Sequence, residues 1–470
     1  MYNTALEEIS RVIDAKHDEL LANLSRLVAI ESVQGPPEQG MPFGSSVHAA
    51  LEQVLALGSD MGFAVHDYDG YVGTIDWGEG DELIGVLTHV DVVPAGDPSA
   101  WESPAFSMTE KDGYVAGRGV VDDKGPLLSA LYGMYALKEM GVSPRKRVRL
   151  IVGTNEETGW GCMDYYRAHC EPPTAGFSPD GMFTAVNREK GILSAVFSKS
   201  VKGVDGLALH CGEAANVVPA HASAVLPIGG ANQIAWLEKA IRERPLTNGS
   251  TGTIEPYGKD AVKIEFHGKS AHAMSPEKGV SAILGLLEFM CGIEFLDESL
   301  KGDIGELLGI IGTTPDGAAM HIACSDVVSG ALTVNLGKLD TENGRLVLQL
   351  DVRTPVTISI DHITDSIRGR FLKAGYAVDK LSIKHPLYVP EDTPLIKTLC
   401  EVYEFVTKEK PVLFSIGGGT YARAFPNCVC FGSVYPNEQL TVHMPNERVL
   451  ISNIIQNARI YGLAIHELVR

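Results

Sequence analysis

Two short apolar runs constrain the fold of this chain more than any other feature of its sequence. They are Leu83-Ile84-Gly85-Val86-Leu87 and Val148-Arg149-Leu150-Ile151-Val152. A short and nearly continuous apolar run is typical of a strand that is buried on both faces of a sheet, as in α/β proteins. The sequence therefore predicts an α/β fold with a central sheet covered by helices.

Side chains that can bind metals or protons follow these strands directly. His89 and Asp91 come after the first run, and Glu156 and Glu157 come after the second. Asp180 ends a third, shorter strand-like run. Binding sites of open α/β sheets lie beyond the carboxyl ends of the strands, because the following loops converge there. We therefore expect these five residues to form one site.

The middle of the chain has a different character and carries none of these candidates, which stop at Asp180 and resume at His443. A chain of 470 residues is long enough for two or three domains. The simplest account is a first domain formed by residues 1–186 and 386–470, interrupted by a second domain at residues 187–385. Within the insertion the patterns predict strands at 192–197, 262–266 and 345–352 and helices at 232–242, 280–290 and 361–373.

Charge and composition exclude several classes of protein. Lys and Arg total 39 and Asp and Glu total 59, which gives a formal net charge of −20. Such an acidic chain is a poor candidate for binding nucleic acid or an anionic membrane surface. No apolar stretch is long enough to span a bilayer, and the eight cysteines are scattered, as in a reducing compartment. We expect a soluble cytoplasmic protein.

A glycine-flanked acidic pair and a distant histidine complete the candidate set. Asp122 and Asp123 lie within Gly117–Pro126, just before a predicted helix at 124–140. Asp122 could bridge two cations, although both residues could also be helix caps, a role that suits Asp123 better. With His443, the set offers nitrogen and oxygen ligands, which suit zinc, cobalt or manganese and not a thiolate zinc site. Taken singly, these motifs also fit surface loops, helix caps or a structural histidine.

Five segments taken together carry a family resemblance: HVDVVP, GRGVVDDKGP, GTNEETGWG, FSPD and VHMPNE. In this order they resemble the zinc metallopeptidase family that includes aminoacylase, carboxypeptidase G and succinyl-diaminopimelate desuccinylase. Within that family the chain is most similar to the PepV-type dipeptidases. The resemblance extends over nearly the whole chain. It implies a catalytic domain with a central mixed sheet flanked by helices and an inserted α+β lid domain.

The resemblance assigns roles to the residues of the first domain. Asp122 would be shared by two zinc ions, for which cobalt or manganese could substitute, and the peptide bond between Asp122 and Asp123 would be cis. Glu156 would be the catalytic base, and Asp91 would orient the first histidine. The implied metal ligands are His89, Asp122, Glu157, Asp180 and His443.

The resemblance also assigns roles within the insertion and in a glycine-rich loop near residue 418. His272, from GKSAHA, would stabilise the oxyanion, and Asn216, from GEAANVVP, would contact the substrate. Arg353, from DVRTP, would clamp the C-terminal carboxylate of the substrate, although by itself it suggests a surface ion pair. The glycine-rich loop lacks the Lys-Ser/Thr of a phosphate loop and would bind substrate. Its candidate residues are Gly418, Gly419 and Thr420.

These assignments imply a zinc-dependent dipeptidase that hydrolyses short unblocked peptides. One alternative is an N-acyl-amino-acid deacylase or a desuccinylase of the same family, because the zinc core does not distinguish these substrates. Another is a catalytically inactive peptide-binding homologue. The insertion is long for this family, as in PepV-type members whose lid replaces a partner subunit, so we expect a monomer.

Overall fold

The computed structural model describes residues 2–203, 206–244 and 246–470. They form two compact units. Unit 1 takes the chain up to Asn187 together with Val389–Phe414 and Gly419–Arg470, and unit 2 comprises Arg188–Tyr388 and Ser415–Gly418. The interpretation of these units as a catalytic domain and a lid remains a prediction.

The first segment of unit 1 alternates helices and strands. Helix α4 is buried along most of its length and packs against β3. The elements are α1 (Tyr2–Ala15), α2 (His17–Val28), α3 (Ser45–Asp60), β1 (Ala64–Tyr68), β2 (Val72–Trp77), β3 (Leu83–His89), β4 (Thr109–Lys111), β5 (Tyr114–Ala116), α4 (Lys124–Glu139), β6 (Arg147–Gly153), α5 (Gly161–His169), β7 (Ala175–Ser178) and β8 (Ala185–Glu189).

Unit 2 is built on an antiparallel sheet of eight strands. Apolar residues alternate along its strands and pack against helices that include α7 and α9. The elements are β9 (Gly191–Ser200), β10 (Ala208–Cys211), β11 (His221–Pro227), α6 (Ala231–Glu243), β12 (Thr251–Pro256), β13 (Ala261–His267), α7 (Ala282–Cys291), α8 (Glu298–Ile311), β14 (Ser325–Asp326), β15 (Gly330–Ala331), β16 (Thr333–Glu342), β17 (Arg345–Thr354), α9 (Ile360–Lys373), β18 (Ala377–Lys384) and β19 (Leu387–Tyr388). The strand order is β12-β13-β11-β10-β16-β17-β9-β18.

The last part of the chain completes the central sheet of unit 1. Its elements are α10 (Pro394–Thr407), β20 (Leu413–Ile416), β21 (Cys428–Cys430), β22 (Arg448–Leu450) and α11 (Ile451–Leu468). The central sheet runs β1-β2-β6-β3-β7-β21-β8, with parallel pairs around β3 and antiparallel pairs toward both ends. All seven residues of β3 are buried, which confirms the predicted two-faced burial and the predicted mixed sheet.

The parallel strands bring the candidate ligands to one edge of this sheet. Strand β3 pairs in parallel with β6 on one side and with β7 on the other. His89 is the last residue of β3, the two glutamates follow the end of β6, and Asp180 follows the end of β7. The carboxyl ends of all three strands therefore point to the same place, as the sequence predicted.

Close packing against α11 fixes the position of α4, the helix that directly follows the acidic pair. A Cβ atom added to Gly133 of α4 would lie 2.8 Å from the backbone nitrogen of Gly462 in α11. Only a glycine at position 133 permits this approach, because any side chain there would push the helices apart.

Across the described ranges 2–203, 206–244 and 246–470, no helix combines the length and the apolar character that crossing a bilayer requires.

Candidate metal centre

Two groups of three side chains bring possible ligand atoms within 4.8 Å of one another. In the first, His89 Nε2 lies 3.0 Å from Asp122 Oδ1 and 3.9 Å from Asp180 Oδ2. In the second, His443 Nε2 lies 3.0 Å from Asp122 Oδ2 and 3.0 Å from Glu157 Oε2. Asp122 belongs to both groups and presents one carboxylate oxygen to each histidine. The structure therefore brings all five candidate ligands together.

The centre concentrates buried carboxylates, which is costly without a cation. Burial, reinforced by neighbouring acidic groups, raises the pKa of Glu156 to about 8 and raises the pKa of Asp180 well above its usual value. Hydrogen bonds to Asp122 and Glu157 raise the pKa of His443 to about 10, against the effect of burial. A divalent cation would relieve the repulsion, and the mixture of imidazole and carboxylate ligands fits zinc, cobalt or manganese.

Asp91 supports the centre in two ways, one of which differs from the prediction. Nδ1 of His89 lies 2.9 Å from the main-chain oxygen of Asp91 and 3.5 Å from its carboxylate. Because a carbonyl can only accept, Nδ1 carries the proton and Nε2 faces the ligands. The carboxylate of Asp91 instead accepts the backbone N–H groups of Glu156, at 3.0 Å, and Glu157, at 3.1 Å. Asp91 therefore orients His89 mainly through its backbone.

Asp123 also differs from its predicted use as a helix cap. The peptide bond between Asp122 and Asp123 is cis, as the family resemblance predicted. Asp123 occupies the N-cap position of α4, but its side chain makes no capping hydrogen bond. Its Oδ2 atom accepts the backbone N–H of His89 at 3.1 Å. Asp123 thus ties the end of β3 to the loop that carries Asp122.

Glu447 holds the Asp122 loop, a role that the sequence did not reveal. Its carboxylate accepts backbone N–H groups from Gly119 at 3.1 Å, Val121 at 2.8 Å and Asp122 at 3.3 Å. Arg118 Nη1 donates to the same carboxylate at 2.7 Å, and both side chains are buried. Because Glu447 lies in the VHMPNE segment, this ion pair joins the loops that carry ligands of both groups.

An aromatic pair connects the candidate base to the first histidine, and this too was missed. Trp160 Nε1 donates a hydrogen bond of 3.2 Å to Glu156 Oε1. The Trp160 ring meets Tyr421 edge-on at a centroid distance of 5.5 Å, and Tyr421 meets His89 edge-on at 5.8 Å. Trp160 belongs to the GTNEETGWG segment, so its spacing from Glu156 was the available signal. Tyr421, far away along the chain, gave none.

In unit 2 the structure brings together the loops of Asn216 and His272. The N–H of Ala273 donates to the main-chain oxygen of Asn216 at 2.9 Å. The N–H of Met274 donates to Nδ1 of His272 at 3.1 Å, which leaves the proton of a neutral ring on Nε2. Burial and the positive charge of Arg353 lower the pKa of His272, so the neutral ring is favoured. His272 can therefore offer an Nε2–H donor.

Arg353 forms an ion pair, but not the surface pair that the sequence suggested. The residue is only 5% exposed. Nε and Nη2 donate to the two oxygens of Asp351 at 2.6 and 2.7 Å, and Nη1 donates to the main-chain oxygen of Gly417 at 2.6 Å. A guanidinium has five N–H groups. The contacts among the described residues use three, so each terminal nitrogen retains one N–H for a ligand.

The division between the units passes through the glycine-rich loop. Gly418 groups with unit 2, whereas Gly419 and Thr420 group with unit 1. The Thr420 hydroxyl accepts the N–H of Ala422 at 3.3 Å and so caps the short 3-10 helix Tyr421–Ala424. A substrate-binding role for Gly418, Gly419 and Thr420 remains a prediction.

Comparison with known proteins gives consistent matches. Residues 85–467 match peptidase family M20/M25/M40. "Putative dipeptidase YtjP" of Bacillus subtilis (strain 168) is 35% identical, covering 97% of this chain and 98% of the relative. "Putative dipeptidase SAR1836" of Staphylococcus aureus (strain MRSA252) is 31% identical, covering 96% and 97%.

Solved structures share the fold. Human carnosine dipeptidase 1 matches with a TM-score of 0.55 and 14% identity, covering 99% of both chains. The M20 family metallo-carboxypeptidase Sso-CP2 from Sulfolobus solfataricus matches with a TM-score of 0.59 and 15% identity, covering 95% of this chain and 98% of the other. The combination of a mixed central sheet with helices and a separate antiparallel sheet is thus shared with these proteins.

Proposed function

The chain belongs to peptidase family M20/M25/M40, and from this premise we propose that it is a two-zinc dipeptidase that hydrolyses short peptides with unblocked termini. One observation carries the proposal. Asp122 is shared between two ligand groups, and the carboxylate of Glu156 belongs to the same buried cluster of charges. Relatives at 31–35% identity that are named as dipeptidases support the choice of substrate.

Each ligand group would hold one metal ion. His89, Asp122 and Asp180 would hold the first, and Asp122, Glu157 and His443 would hold the second. When bound, the two ions would lower the pKa of a water molecule and stabilise negative charge that develops on the substrate. Cobalt or manganese could substitute, because both accept the same nitrogen and oxygen ligands.

Glu156 would move the proton. It would accept a proton from the attacking water and deliver it to the leaving amine. Its backbone is held by Asp91, and its carboxylate is held by the indole N–H of Trp160. These two contacts support the role of Glu156 because a general base must be fixed within hydrogen-bonding distance of its proton donor.

The residues of unit 2 would contact the substrate at two places, the scissile carbonyl and the C-terminal carboxylate. The Nε2–H of His272 would donate to the oxyanion that forms at the scissile carbonyl. The remaining N–H groups of Arg353, together with the loop at Gly418–Thr420, would bind the C-terminal carboxylate, and Asn216 would contact the substrate beside them. Recognition of a carboxylate close to the scissile bond would restrict the enzyme to short peptides.

We also propose that the protein acts as a monomer. The sheet of unit 2 has two halves of four strands, β12-β13-β11-β10 and β16-β17-β9-β18, which pair through β10 and β16. This pairing covers, within one chain, a strand edge that could otherwise recruit a second subunit. Sedimentation is expected to give a single species of monomer mass, and an obligate dimer would contradict the proposal. A cytoplasmic location stays a prediction.

A substrate panel tests the proposed function. Dipeptides, tripeptides, N-acetyl amino acids and N-succinyl amino acids are each supplied to the enzyme with zinc, cobalt or manganese. We expect turnover of dipeptides and little of blocked substrates. Turnover of the acylated amino acids alone would identify a deacylase or desuccinylase instead, and no turnover with any metal would favour an inactive peptide-binding homologue.

A further inference from the structure

A cavity of about 500 Å³ on unit 2 holds chemistry that the proposed reaction does not use. It lies on the polar face of strands β11 and β13. Along both strands, buried apolar residues face the helices, and alternate residues on the other face are more exposed and, beside the cavity, mostly polar. The residues around the cavity that could bind a metal are His210, Glu213, His221, Glu265 and His267.

His221 and His267 are spaced as two ligands of one metal ion would be. They are direct partners in the antiparallel register of β11 and β13, and their Nδ1 atoms lie 3.3 Å apart. Two nitrogens bound at the usual zinc distance in a tetrahedral site lie about 3.3–3.4 Å apart. Without an ion the same contact is a long hydrogen bond between the two rings, which a bound metal would replace. We propose that His221 and His267 form a transition-metal site separate from the candidate metal centre.

The pair favours particular cations. Neutral imidazole binds copper, nickel and zinc well, whereas magnesium and calcium prefer oxygen ligands. Glu265 precedes His267 by two residues and lies on the same face of β13. Its Oε1 atom forms an ion pair with Nζ of Lys263 at 2.5 Å. Because Glu265 is engaged by Lys263, water would complete the coordination of an ion held by the two histidines. Because His221 is exposed, an ion at this site would exchange readily with the solvent.

The position of the pair gives the site a consequence. His221 begins β11 directly after the loop that carries Asn216, and His267 ends β13 directly before the loop that carries His272. The two loops continue the strand pairing through main-chain hydrogen bonds of 2.8–2.9 Å donated by Val218, Gly268 and Ala273. A metal ion bound to both histidines would cross-link the two strands at the base of both loops. Only this consequence rests on the proposed roles of Asn216 and His272.

Zinc stoichiometry tests the site itself. Enzyme that retains its tightly bound metal is separated from excess metal ions by gel filtration and is then titrated with zinc in a calorimeter. We expect one further equivalent to bind to the wild type and none to His221→Gln or His267→Gln. His210→Gln is the matched control in the same cavity, because its Nδ1 already lies 3.0 Å from Asp340, and it should retain the extra equivalent. No extra equivalent in the wild type, or an equal one in His221→Gln, would overturn the site.

Amide hydrogen exchange tests whether metal binding at the histidine pair stabilises the two loops. Zinc is added to the same enzyme at about tenfold above its dissociation constant, which should slow local opening about tenfold. We expect this slowing in peptides that cover residues 212–221 and 268–274 of the wild type, and no change in His221→Gln. If zinc binds without slowing exchange there, the coupling to the loops is wrong although the site stands. Because neither readout uses catalysis, failure of the proposed dipeptidase activity would leave both tests valid.

Discussion

The metal centre of unit 1 and the proposed substrate-binding residues of unit 2 are supported in different ways. In unit 1 each candidate ligand follows a buried strand or is tied to a neighbouring loop by a buried carboxylate, as with Asp91, Asp123 and Glu447. In unit 2 His272 is exposed on a loop, and Arg353 is held by one carboxylate and one carbonyl. The comparison indicates that the candidate ligands and Arg353 are held in place by buried contacts, whereas the exposed ring of His272 has more freedom.

The largest expected effect lies within the metal centre. Glu156→Ala should lower kcat by about 10²–10⁴-fold, because a general base contributes about that much to proton transfer. Metal content, measured by plasma mass spectrometry, should stay unchanged, since Glu156 is in neither ligand group. Glu110→Ala, an exposed glutamate, serves as the control. Unchanged turnover in Glu156→Ala would exclude it as the base.

The support of the Asp122 loop can be weakened without touching a ligand. Glu447→Gln should lower metal affinity by about 10–100-fold, because groups that orient metal ligands typically contribute that much. It should also lower the melting temperature, since Arg118 would remain as a buried charge without its partner. Chelator titration and thermal unfolding measure the two effects. If affinity holds while stability falls, Glu447 supports the fold and not the metal site.

For unit 2, the free C-terminus of the substrate is the sharpest probe. Arg353→Lys should lower kcat/KM for a dipeptide by about tenfold to a hundredfold, the loss expected for one hydrogen bond to a charged group. The same dipeptide with an amidated C-terminus lacks the carboxylate, so Arg353→Lys should hardly change kcat/KM for that substrate relative to the wild type. An equal loss for both substrates would mean that Arg353 acts only through its structural pair with Asp351.

The smallest effect is expected at the aromatic contact to the base. Trp160→Phe keeps a ring against Tyr421 but removes the N–H that reaches Glu156, and should lower kcat about tenfold with KM unchanged. Trp236→Phe, which removes an indole in unit 2, should leave kcat as it was. A rise in KM without a fall in kcat would assign Trp160 to substrate binding and remove its positioning role.

Much of the fold followed from local pattern. The apolar runs at 83–87 and 148–152 correspond to β3 and β6, and the predicted helices at 124–140, 280–290 and 361–373 correspond to α4, α7 and α9. These patterns are readable because a buried strand or an amphipathic helix repeats within a few residues. The order of the strands was not readable, because each pairing is decided by contacts between distant segments.

The candidate site, like the fold, could be predicted only in part from the sequence. Sequence alone selected the ligand types and placed three of them after buried strands, and the family resemblance added the cis bond before Asp123, which the structure has. Neither the sequence nor the resemblance could show that the Asp123 side chain accepts the backbone N–H of His89, or that Arg353 is buried. Such facts depend on which groups meet in a low-dielectric interior, where an unpaired polar group is costly.

By itself, therefore, the sequence determined which side chains can bind metal and which strands carry them. Only the tertiary structure decided what holds them in place: Glu447 reaches back 328 residues to Gly119, and Tyr421 reaches 259 residues to Cys162 in the same buried cluster. The physical reason is that strand and helix periodicities are local, whereas satisfying a buried carboxylate or filling space beside a ring depends on the folded chain.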